Sequence, residues 1–419
     1  MREGETQLEG SRAIAQTVAG CRPQVIAAYP ISPQTHIVEA LSALVASGEL
    51  APCEFVNVES EFAALSACIG ASAAGARAYT ATAGQGLLYM AEALYNASGL
   101  AMPIVMTVAN RAVGAPINIW NDHSDALSQR DCGWVQLYAR SIQDAIDLHP
   151  QAFRLAEELC IPVMVCVDGY VLTHAVERVT LLPQEEIDAF LPPFSPRQLL
   201  QPSEPITIGA MVGPDAFTEV RYLAHLKQMQ ALDRITQIAA AFEQRFGRAA
   251  GGLLHHYRSH DASTIIVALG SVIGIVEEAV DELRDAGRAV GCVGIGAVRP
   301  WPATELREAL IHATRVIVLE RAVSVGAGGV ISADIRAAAP GATVHTAIAG
   351  LGGRPITRAD IHQLADDAER GVLESLRFVG LRHELIDREL ERMLATRRSG
   401  PHAENMLRDL IGHGRETPA

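Results

Sequence analysis

The sequence has few aromatic residues and no run of basic residues. Aromatic residues make up 5% of its 419 positions, against 49% for hydrophobic residues as a whole, so small apolar side chains supply much of the core. Lysine and arginine together number 34 and the acidic residues 48, which gives a net charge of −14. This charge argues against nucleic acid or an anionic membrane surface as a partner.

Paired cysteines are also missing. Seven cysteines are scattered singly, without a CxxC pair or a Cys/His spacing suited to a metal. They are Cys21, Cys53, Cys68, Cys132, Cys160, Cys166 and Cys292. We therefore expect reduced core thiols and neither a structural zinc nor an iron–sulfur cluster in this chain.

Long apolar runs are absent as well. The opening residues, MREGETQLEG, are polar and have no apolar region of the signal-peptide kind, and no later run reaches membrane length. We expect a soluble cytoplasmic protein. A length of 419 residues predicts two or three domains at about 150 residues each.

The first part of the sequence alternates apolar strands with helices. The predicted strands are 24–29, 54–58, 78–82, 103–109, 134–139 and 161–167, and the predicted helices are 9–22, 34–48, 60–75, 87–98 and 143–159. Strands that read as near-continuous apolar runs and alternate with helices are typical of a parallel sheet covered on both faces. The pattern predicts a doubly wound parallel α/β domain.

The whole chain divides into four predicted parts. Residues 1–182 form the first α/β domain, and residues 183–260 form a Pro-rich linker followed by a helical connector. Residues 261–355 form a second, smaller parallel α/β domain, in which 298–302 is a rigid turn. Residues 356–419 form a charged helical arm without a β-period, suited to packing against a partner.

Glu61 is the first candidate site residue. It lies in the stretch FVNVESEFAALSACIGASAAG, residues 55–75, at the corner where a strand gives way to a helix of very small residues. Ligands of open α/β sheets bind at the carboxyl ends of the strands. An acid in the first turn of a helix is also stabilised by the helix dipole, so a purely structural role stays open.

Three further features follow separate strands of the same sheet. They are Ser32 between two prolines, the corner Gly84-Gln85-Gly86, and Arg111. Together with an acid they predict a pocket with a hydroxyl, open backbone amides and a guanidinium that can bind both oxygens of a carboxylate. The structural alternatives are a helix cap for Ser32, a loop anchor for Arg111, and simple backbone approach at the corner, which lacks a P-loop lysine.

Two other polar positions have stronger structural alternatives. His123 lies within NDHSD and suits a hydrogen-bonded loop histidine better than a catalytic one. Asp168, followed by Gly169 after a strand, suits a turn better than a metal site. We predict no metal ligand in the chain.

Several segments together identify a family resemblance. They are AYPISPQT, NVESEFAALSACIGASAAGARAYTATAGQGLLYM, PIVMTVANRAVGAPINIWNDHSD, QRDCGWVQLYA and VCVDGY, followed by VALGS, VRPWP, ERAVSVGAGG and LGGRPI. The series closely resembles the α subunit of pyruvate:ferredoxin oxidoreductase and related 2-oxoacid:ferredoxin oxidoreductases. The resemblance implies a pyrimidine-binding domain for thiamine diphosphate, followed by a transketolase-C-terminal-like domain.

The resemblance also implies a set of cofactors and partners. Thiamine diphosphate would be shared with a β subunit that holds its diphosphate and Mg²⁺, which fits the absence here of a GDG…N pattern. Iron–sulfur clusters would lie in partner subunits, among them γ and ferredoxin-like δ subunits. Coenzyme A would be the cosubstrate, and ferredoxin or an NAD-reducing flavin subunit would receive the electrons.

Site roles are implied residue by residue. Glu61 matches the family glutamate that hydrogen-bonds the aminopyrimidine ring nitrogen, and the corner from Gly84 to Gly86 borders the cofactor. Arg111 matches the arginine that contacts the oxoacid carboxylate. Ser32 stands where most members have threonine, so the loss of a methyl group leaves a roomier substrate pocket.

The implied activity is oxidative decarboxylation of a 2-oxoacid to acyl-CoA and CO₂. One alternative is the same chemistry on a branched-chain or aryl 2-oxoacid, such as phenylglyoxylate, with NAD as final acceptor. A non-catalytic scaffold paralogue is another, although Glu61 and Arg111 are both retained. A self-sufficient non-redox thiamine enzyme is disfavoured because the diphosphate-binding pattern is missing.

Overall fold

The computed structural model describes residues 5–395 and 400–413. It contains a seven-stranded sheet, a six-stranded sheet and a two-stranded antiparallel sheet. The strands of the first part are β1 (Glu5–Glu9), β2 (Val25–Ala28), β3 (Glu54–Asn57), β4 (Ala78–Thr82), β5 (Ile104–Asn110), β6 (Val135–Tyr138), β7 (Val163–Asp168) and β8 (Val176–Thr180). The helices of this part are α1 (Gly10–Gly20), α2 (Thr35–Ala46), α3 (Glu61–Ala73), α4 (Gly84–Tyr89), α5 (Ala91–Gly99), α6 (Ser124–Ser128), α7 (Ile142–Leu159) and α8 (Gln184–Phe190).

The second part begins with one long helix and continues with short α/β units. Its strands are β9 (Leu254–Tyr257), β10 (Thr264–Leu269), β11 (Val290–Ile295), β12 (Ala297–Arg299), β13 (Arg315–Glu320), β14 (Thr343–Ile348) and β15 (Leu376–Phe378). Its helices are α9 (Pro214–Phe246), α10 (Val272–Asp285), α11 (Ala303–Leu310), α12 (Ile331–Ala338), α13 (Arg358–Glu369), α14 (His383–Ala395) and α15 (His402–His413), with a 3₁₀ turn at Leu351–Gly353.

The seven-stranded sheet has the order β12-β6-β7-β5-β4-β2-β3. Every neighbouring pair is parallel except β12 with β6. Strands β4, β5 and β7 are buried along their whole length, as expected for strands covered on both faces. This arrangement confirms the predicted doubly wound parallel α/β fold.

Helices cover both faces of this sheet. One face packs against α1 and α7 through Ile14 and Phe153. The other face packs against α3 and α5 through Leu65 and Leu94, and the same core continues into α11 through Leu306. The second part of the chain therefore shares a hydrophobic core with the first.

The six-stranded sheet has the order β15-β14-β13-β10-β11-β9, and only β9 runs antiparallel to its neighbour. This confirms a second, smaller parallel α/β unit. Its two edge strands, β9 and β15, come from the ranges predicted to be a connector and a helical arm. The expectation that the tail contains no strand is therefore wrong at Leu376–Phe378.

Two local expectations are also corrected. Residues 298 and 299 of the predicted rigid turn belong instead to β12 (Ala297–Arg299), which joins the edge of the first sheet beside β6. The predicted corner before a single helix is itself the first turn of α4, and a break at Met90 separates α4 from α5. The boundaries at residues 182, 260 and 355 stay predictions.

No helix within residues 5–395 and 400–413 combines the length and the apolar character needed to cross a membrane. All seven cysteines are free thiols, and burial raises the pKa of most of them.

Candidate active site

The predicted site residues meet at the carboxyl edge of the first sheet. Strands β5, β4, β2 and β3 are consecutive neighbours, and each ends just before one predicted feature. Arg111 follows β5, Gly84 follows β4, Ser32 follows β2 and Glu61 follows β3. The strand order therefore brings four distant segments to one edge.

Glu61 begins α3 at this edge. Ser60 caps the helix, since its hydroxyl accepts a hydrogen bond from the Ala63 amide at 3.2 Å. The cap fixes the direction in which Glu61 leaves the backbone. Its side chain is buried, with 7% of the residue exposed, yet no group in the described part of the chain hydrogen-bonds to its carboxylate.

Gly86 makes room for this carboxylate. A Cβ atom at Gly86 would lie 2.7 Å from Glu61 Oε1 and 2.6 Å from Thr82 Oγ1. The Thr82 hydroxyl is buried and has no partner within the described residues. Because any side chain at Gly86 would displace the carboxylate, the glycine is required by the position of Glu61.

Arg111 is held by several contacts around its guanidinium. Nη1 donates to the Ser32 carbonyl at 2.7 Å, and Nη2 donates to Gln85 Oε1 at 2.5 Å. Nε is buried without a partner among the described residues. Burial lowers the pKa of Arg111, and the carboxylates of Asp125 and Glu61 partly oppose this shift.

The glycines of the corner allow neighbouring side chains to lie close to the backbone. At Gly84, with φ of +51°, a Cβ atom would lie 2.7 Å from Arg111 Cγ. The Gly84 amide donates to Asp125 Oδ2 at 2.9 Å, and the Gly86 amide donates to the Ala83 carbonyl at 3.0 Å. The expectation of open backbone amides is wrong for these two glycines.

Ser32 contributes its carbonyl oxygen to the site, as the acceptor for Arg111. It does not cap α2, because Gln34 occupies the N-cap position and makes no side-chain cap. The Ser32 side chain is exposed. A role for its hydroxyl toward a substrate stays a prediction.

Asp125 is the site residue that the sequence reasoning did not single out. It is fully buried on α6, and its carboxylate links the ends of β4 and β5 through hydrogen bonds to Gly84, Asn110 and Arg111. Burial raises the pKa of Asp125 to about 6, and these hydrogen bonds limit the rise. The only sequence signal was an acid in NDHSD, which was interpreted as part of a loop around the histidine.

His123 and Asp168 form a buried contact with the second sheet unit. His123 Nε2 lies 2.5 Å from Asp168 Oδ1, and Arg321 Nη1 donates to Asp168 Oδ2 at 2.7 Å. The hydroxyl and the amide of Ser271 also donate to Oδ2. Burial alone would raise the pKa of Asp168, but Arg321 and His123 hold it well below its usual value. His123 is thus a hydrogen-bonded structural residue, whereas Asp168 does more than end a turn.

The arrangement suits a ring that presents a hydrogen-bond donor at Glu61 and an anion at Arg111. A buried carboxylate without a partner is costly unless a ligand supplies a hydrogen-bond donor. Glu61 therefore fits a cofactor ring that presents a donor to it, and Arg111 fits an anion beside that ring. Within the described ranges, no cluster of three or more His, Cys, Asp or Glu residues is arranged to hold a metal ion.

Comparisons with known proteins match both parts of the chain. Residues 16–240 match the thiamine diphosphate-binding domain of pyruvate flavodoxin/ferredoxin oxidoreductase. Residues 262–361 match core domain II of pyruvate:ferredoxin oxidoreductase. The chain is similar in fold to 2-oxoglutarate:ferredoxin oxidoreductase from Magnetococcus marinus, with a TM-score of 0.67 and 20% identity, covering 88% of this chain and 65% of that one.

Curated relatives match nearly the full length. Pyruvate synthase subunit PorA of Methanosarcina barkeri is 45% identical over 390 residues, which cover 90% of this chain and 97% of the relative. Ketoisovalerate oxidoreductase subunit VorA of Pyrococcus abyssi is 39% identical over 389 residues, which cover 92% and 96%. These matches confirm the resemblance carried by the sequence segments: the chain belongs to the pyruvate flavodoxin/ferredoxin oxidoreductase family.

Proposed function

We propose that this chain is the α subunit of a CoA-acylating 2-oxoacid:acceptor oxidoreductase of the pyruvate:ferredoxin type. The family match and the PorA relatives support this activity. The observation that carries it is Glu61, a residue that is only 7% exposed and whose carboxylate has no hydrogen-bond partner in the described chain, at the sheet edge where Arg111 also lies. A scaffold paralogue would have no need to keep this unpaired buried acid.

Glu61 is proposed to hold the aminopyrimidine ring of thiamine diphosphate. Its carboxylate would accept a hydrogen bond from the ring nitrogen and would in this way select the ring tautomer that the chemistry needs. Thiamine diphosphate, when bound, supplies a nucleophilic carbon and an electron sink for decarboxylation. The corner from Gly84 to Gly86 borders this ring, and Gly86 keeps the space that the Glu61 carboxylate needs.

Arg111 is proposed to bind the carboxylate of the 2-oxoacid. Its fork is already oriented by Ser32 and Gln85, so little side-chain entropy is lost when the substrate binds. The Ser32 hydroxyl is proposed to contact the same substrate. Because serine is smaller than threonine, the pocket at this position admits a larger acyl group.

The electron-transfer and diphosphate-binding parts of the reaction are assigned to partner subunits. The relatives are named as subunits, which supports a multi-subunit assembly. We propose a β subunit that holds the diphosphate and Mg²⁺, γ and ferredoxin-like δ subunits, and ferredoxin or an NAD-reducing flavin subunit as acceptor. The free thiols favour a cytoplasmic location.

A branched-chain 2-oxoacid is the second candidate substrate. The VorA relative, named a ketoisovalerate oxidoreductase subunit, is 39% identical, close to the 40% of the PorA subunit from Pyrococcus furiosus. Serine at position 32, where the resemblance implies threonine, is also proposed to widen the pocket. Pyruvate is preferred because the PorA subunit of Methanosarcina barkeri reaches 45%.

The activity is tested on the intact assembly, purified without oxygen. Its subunits, thiamine and iron are identified, and viologen reduction is measured with pyruvate, 2-oxoisovalerate, 2-oxoglutarate and phenylglyoxylate, each with and without coenzyme A. We expect CoA-dependent reduction with one or more of these acids and formation of the matching acyl-CoA. An assembly that contains thiamine and iron but reduces viologen with none of them would contradict the proposed function.

A further inference from the structure

Asp125 lies beside Arg111 of the proposed substrate site and accepts a hydrogen bond from its backbone amide. The residue is fully buried, and both carboxylate oxygens are occupied. Oδ1 accepts from Asn110 Nδ2 and from the Ala126 amide, each at 2.7 Å. Oδ2 accepts from the Gly84 amide at 2.9 Å and the Arg111 amide at 3.0 Å.

This set of four donors requires an ionised acid. A carboxylate has about four acceptor positions and no donor, and all four are used here. An apolar residue would leave four buried donors unsatisfied. Charge-assisted bonds of this kind also offset the cost of burying the acid.

The two donors on Oδ2 belong to the site itself. The Gly84 amide starts the corner that packs against the Arg111 side chain, and the Arg111 amide fixes the backbone from which that side chain extends. One oxygen therefore holds the end of β4 and the end of β5 at a fixed separation. The negative charge also favours the charged form of Arg111, more strongly than Glu61 does.

We propose that Asp125 is a positioning residue for the 2-oxoacid, which sets the place and the orientation of the Arg111 guanidinium through the backbone amides of Gly84 and Arg111. This inference rests on the proposed function and adds a residue that acts on substrate binding without touching the substrate.

The test compares Asp125→Ala with Asp147→Ala in the intact assembly. Asp147 is the matched control because it is also a buried aspartate with several hydrogen bonds, from Gln143 within α7 and from Arg248, which follows α9. Both variants lose a buried acceptor, so both lower the melting temperature. Only Asp125→Ala is expected to raise KM for the 2-oxoacid, by at least about tenfold, with KM for coenzyme A within about twofold of wild type.

Two further measurements separate a positioning role of Asp125 from an overall loss of stability. The inhibition constant of oxamate, an unreactive 2-oxoacid analogue, should rise in parallel with KM in Asp125→Ala and stay unchanged in Asp147→Ala. The double variant Asp125→Ala/Arg111→Ala should bind oxamate no more weakly than Arg111→Ala alone, because Asp125 acts through Arg111.

Equal increases of KM for the 2-oxoacid in Asp125→Ala and Asp147→Ala would overturn the positioning role. Additive losses of oxamate affinity in the double variant would overturn it as well. Where Asp125→Ala does not assemble, Asp125→Ser is used, and an unchanged oxamate constant in that variant would overturn the role as well. A wild-type assembly that turns over no 2-oxoacid would overturn the proposed function together with this inference. Wild-type turnover with an unaffected Asp125 variant would overturn this inference alone.

Discussion

The Glu61 carboxylate lacks a hydrogen-bond donor in the described protein, and a bound ligand would supply one. The residue is 7% exposed, its carboxylate lies against Gly86, and it has no protein partner in the described ranges. A helix-dipole role needs none of these features, since a solvent-facing acid in the first turn gains the same stabilisation of about 0.3–1 kcal/mol. The site role proposed for Glu61 predicts the outcome of a single substitution.

Glu61→Gln should lower kcat by at least about 100-fold while the subunits still assemble, because the amide keeps the size but loses the charge that fixes the ring tautomer. Glu59→Gln, at an exposed position two residues earlier, is the control and should keep wild-type turnover. Turnover is measured by viologen reduction, and assembly by size-exclusion chromatography. Near-normal turnover in Glu61→Gln would contradict the proton-transfer role.

Arg111→Ala should raise KM for every accepted 2-oxoacid by about 10- to 100-fold, since a charged hydrogen bond to the substrate carboxylate is lost. Arg77→Ala is the matched control, because Arg77 is an equally buried arginine paired with Glu157 away from the site. The control should lose stability without a change in KM. An unchanged KM in Arg111→Ala would remove this residue from the substrate site.

At the scale of the helix and the strand, the site depends on how closely α4 approaches α3. Gly86→Ala would place a Cβ atom 2.7 Å from Glu61 Oε1, so the carboxylate must move. We expect kcat to fall by about tenfold or more, because a displaced carboxylate no longer accepts the hydrogen bond from the ring nitrogen whose tautomer it fixes. The variant is compared with wild type in the viologen assay and by circular dichroism.

Gly70→Ala provides the control for this substitution. Gly70 lies in α3, and a Cβ atom there would meet no other atom within 4 Å. Alanine in a helix interior is favoured over glycine by about 0.5–1 kcal/mol, so this variant should be slightly more stable and fully active. Equal losses in Gly86→Ala and Gly70→Ala would refute the steric explanation.

His149 gives α7 a pH-dependent contribution to stability. The side chain is buried, Nδ1 donates to the Ala145 carbonyl at 2.6 Å, and Nε2 lies 2.7 Å from the Thr107 hydroxyl. Burial lowers the pKa of His149 from 6.5 to about 4. The neutral form is therefore the folded form, and its contribution is present above pH 6.5 and lost as the pH falls toward 4.

The free energy of unfolding should fall by about 1.4 kcal/mol per pH unit across this window from His149 alone. His149→Gln should lower stability at pH 7.5 and flatten the decline between pH 6.5 and 4. His312→Gln, at an exposed position, should keep the wild-type slope. Thermal melts at several pH values measure this, and an unchanged slope in His149→Gln would assign the pH dependence to another group.

The strands and helices that could be predicted from the sequence are those whose conformation is determined by their own residues. Strands β5 and β7 are near-continuous apolar runs that each follow a proline, so their pattern indicates burial on both faces. The edge strands β12 and β15 are three residues long, and pairing with a distant neighbour decides them. No local pattern of that length separates a strand from a turn.

The same distinction applies to the site. Glu61 and Arg111 could be singled out because each follows a strand of one sheet, and the sheet topology alone brings them together. Asp125 could not, since its partners come from the ends of β4 and β5 and its own segment has no periodic pattern. Its role follows from contacts between segments far apart in sequence.

At the scale of the whole molecule, Asp168 joins the two α/β units. It ends β7 beside the site and accepts hydrogen bonds from Arg321, which follows β13, and from Ser271, which precedes α10. The His123 amide also donates to the Arg321 carbonyl at 2.8 Å. His123, which precedes α6, is therefore fixed to the second unit both through the Asp168 carboxylate and through the Arg321 backbone.

Asp168→Asn should weaken this junction, because the buried Arg321 guanidinium is left without its counter-charge, at a cost of about 3–5 kcal/mol. We expect faster hydrogen exchange both in β7 and in residues 268–273 across the junction. Asp261→Asn is the control, since Asp261 pairs with Arg284 at the surface and should change exchange little. The double variant Asp168→Asn/Arg321→Gln should recover part of the loss, because neither charge is then buried alone. If the loss of stability in the double variant equals the sum of the losses in the two single variants, the two side chains do not act as a pair. The connection between the units would then have to come from the shared apolar core.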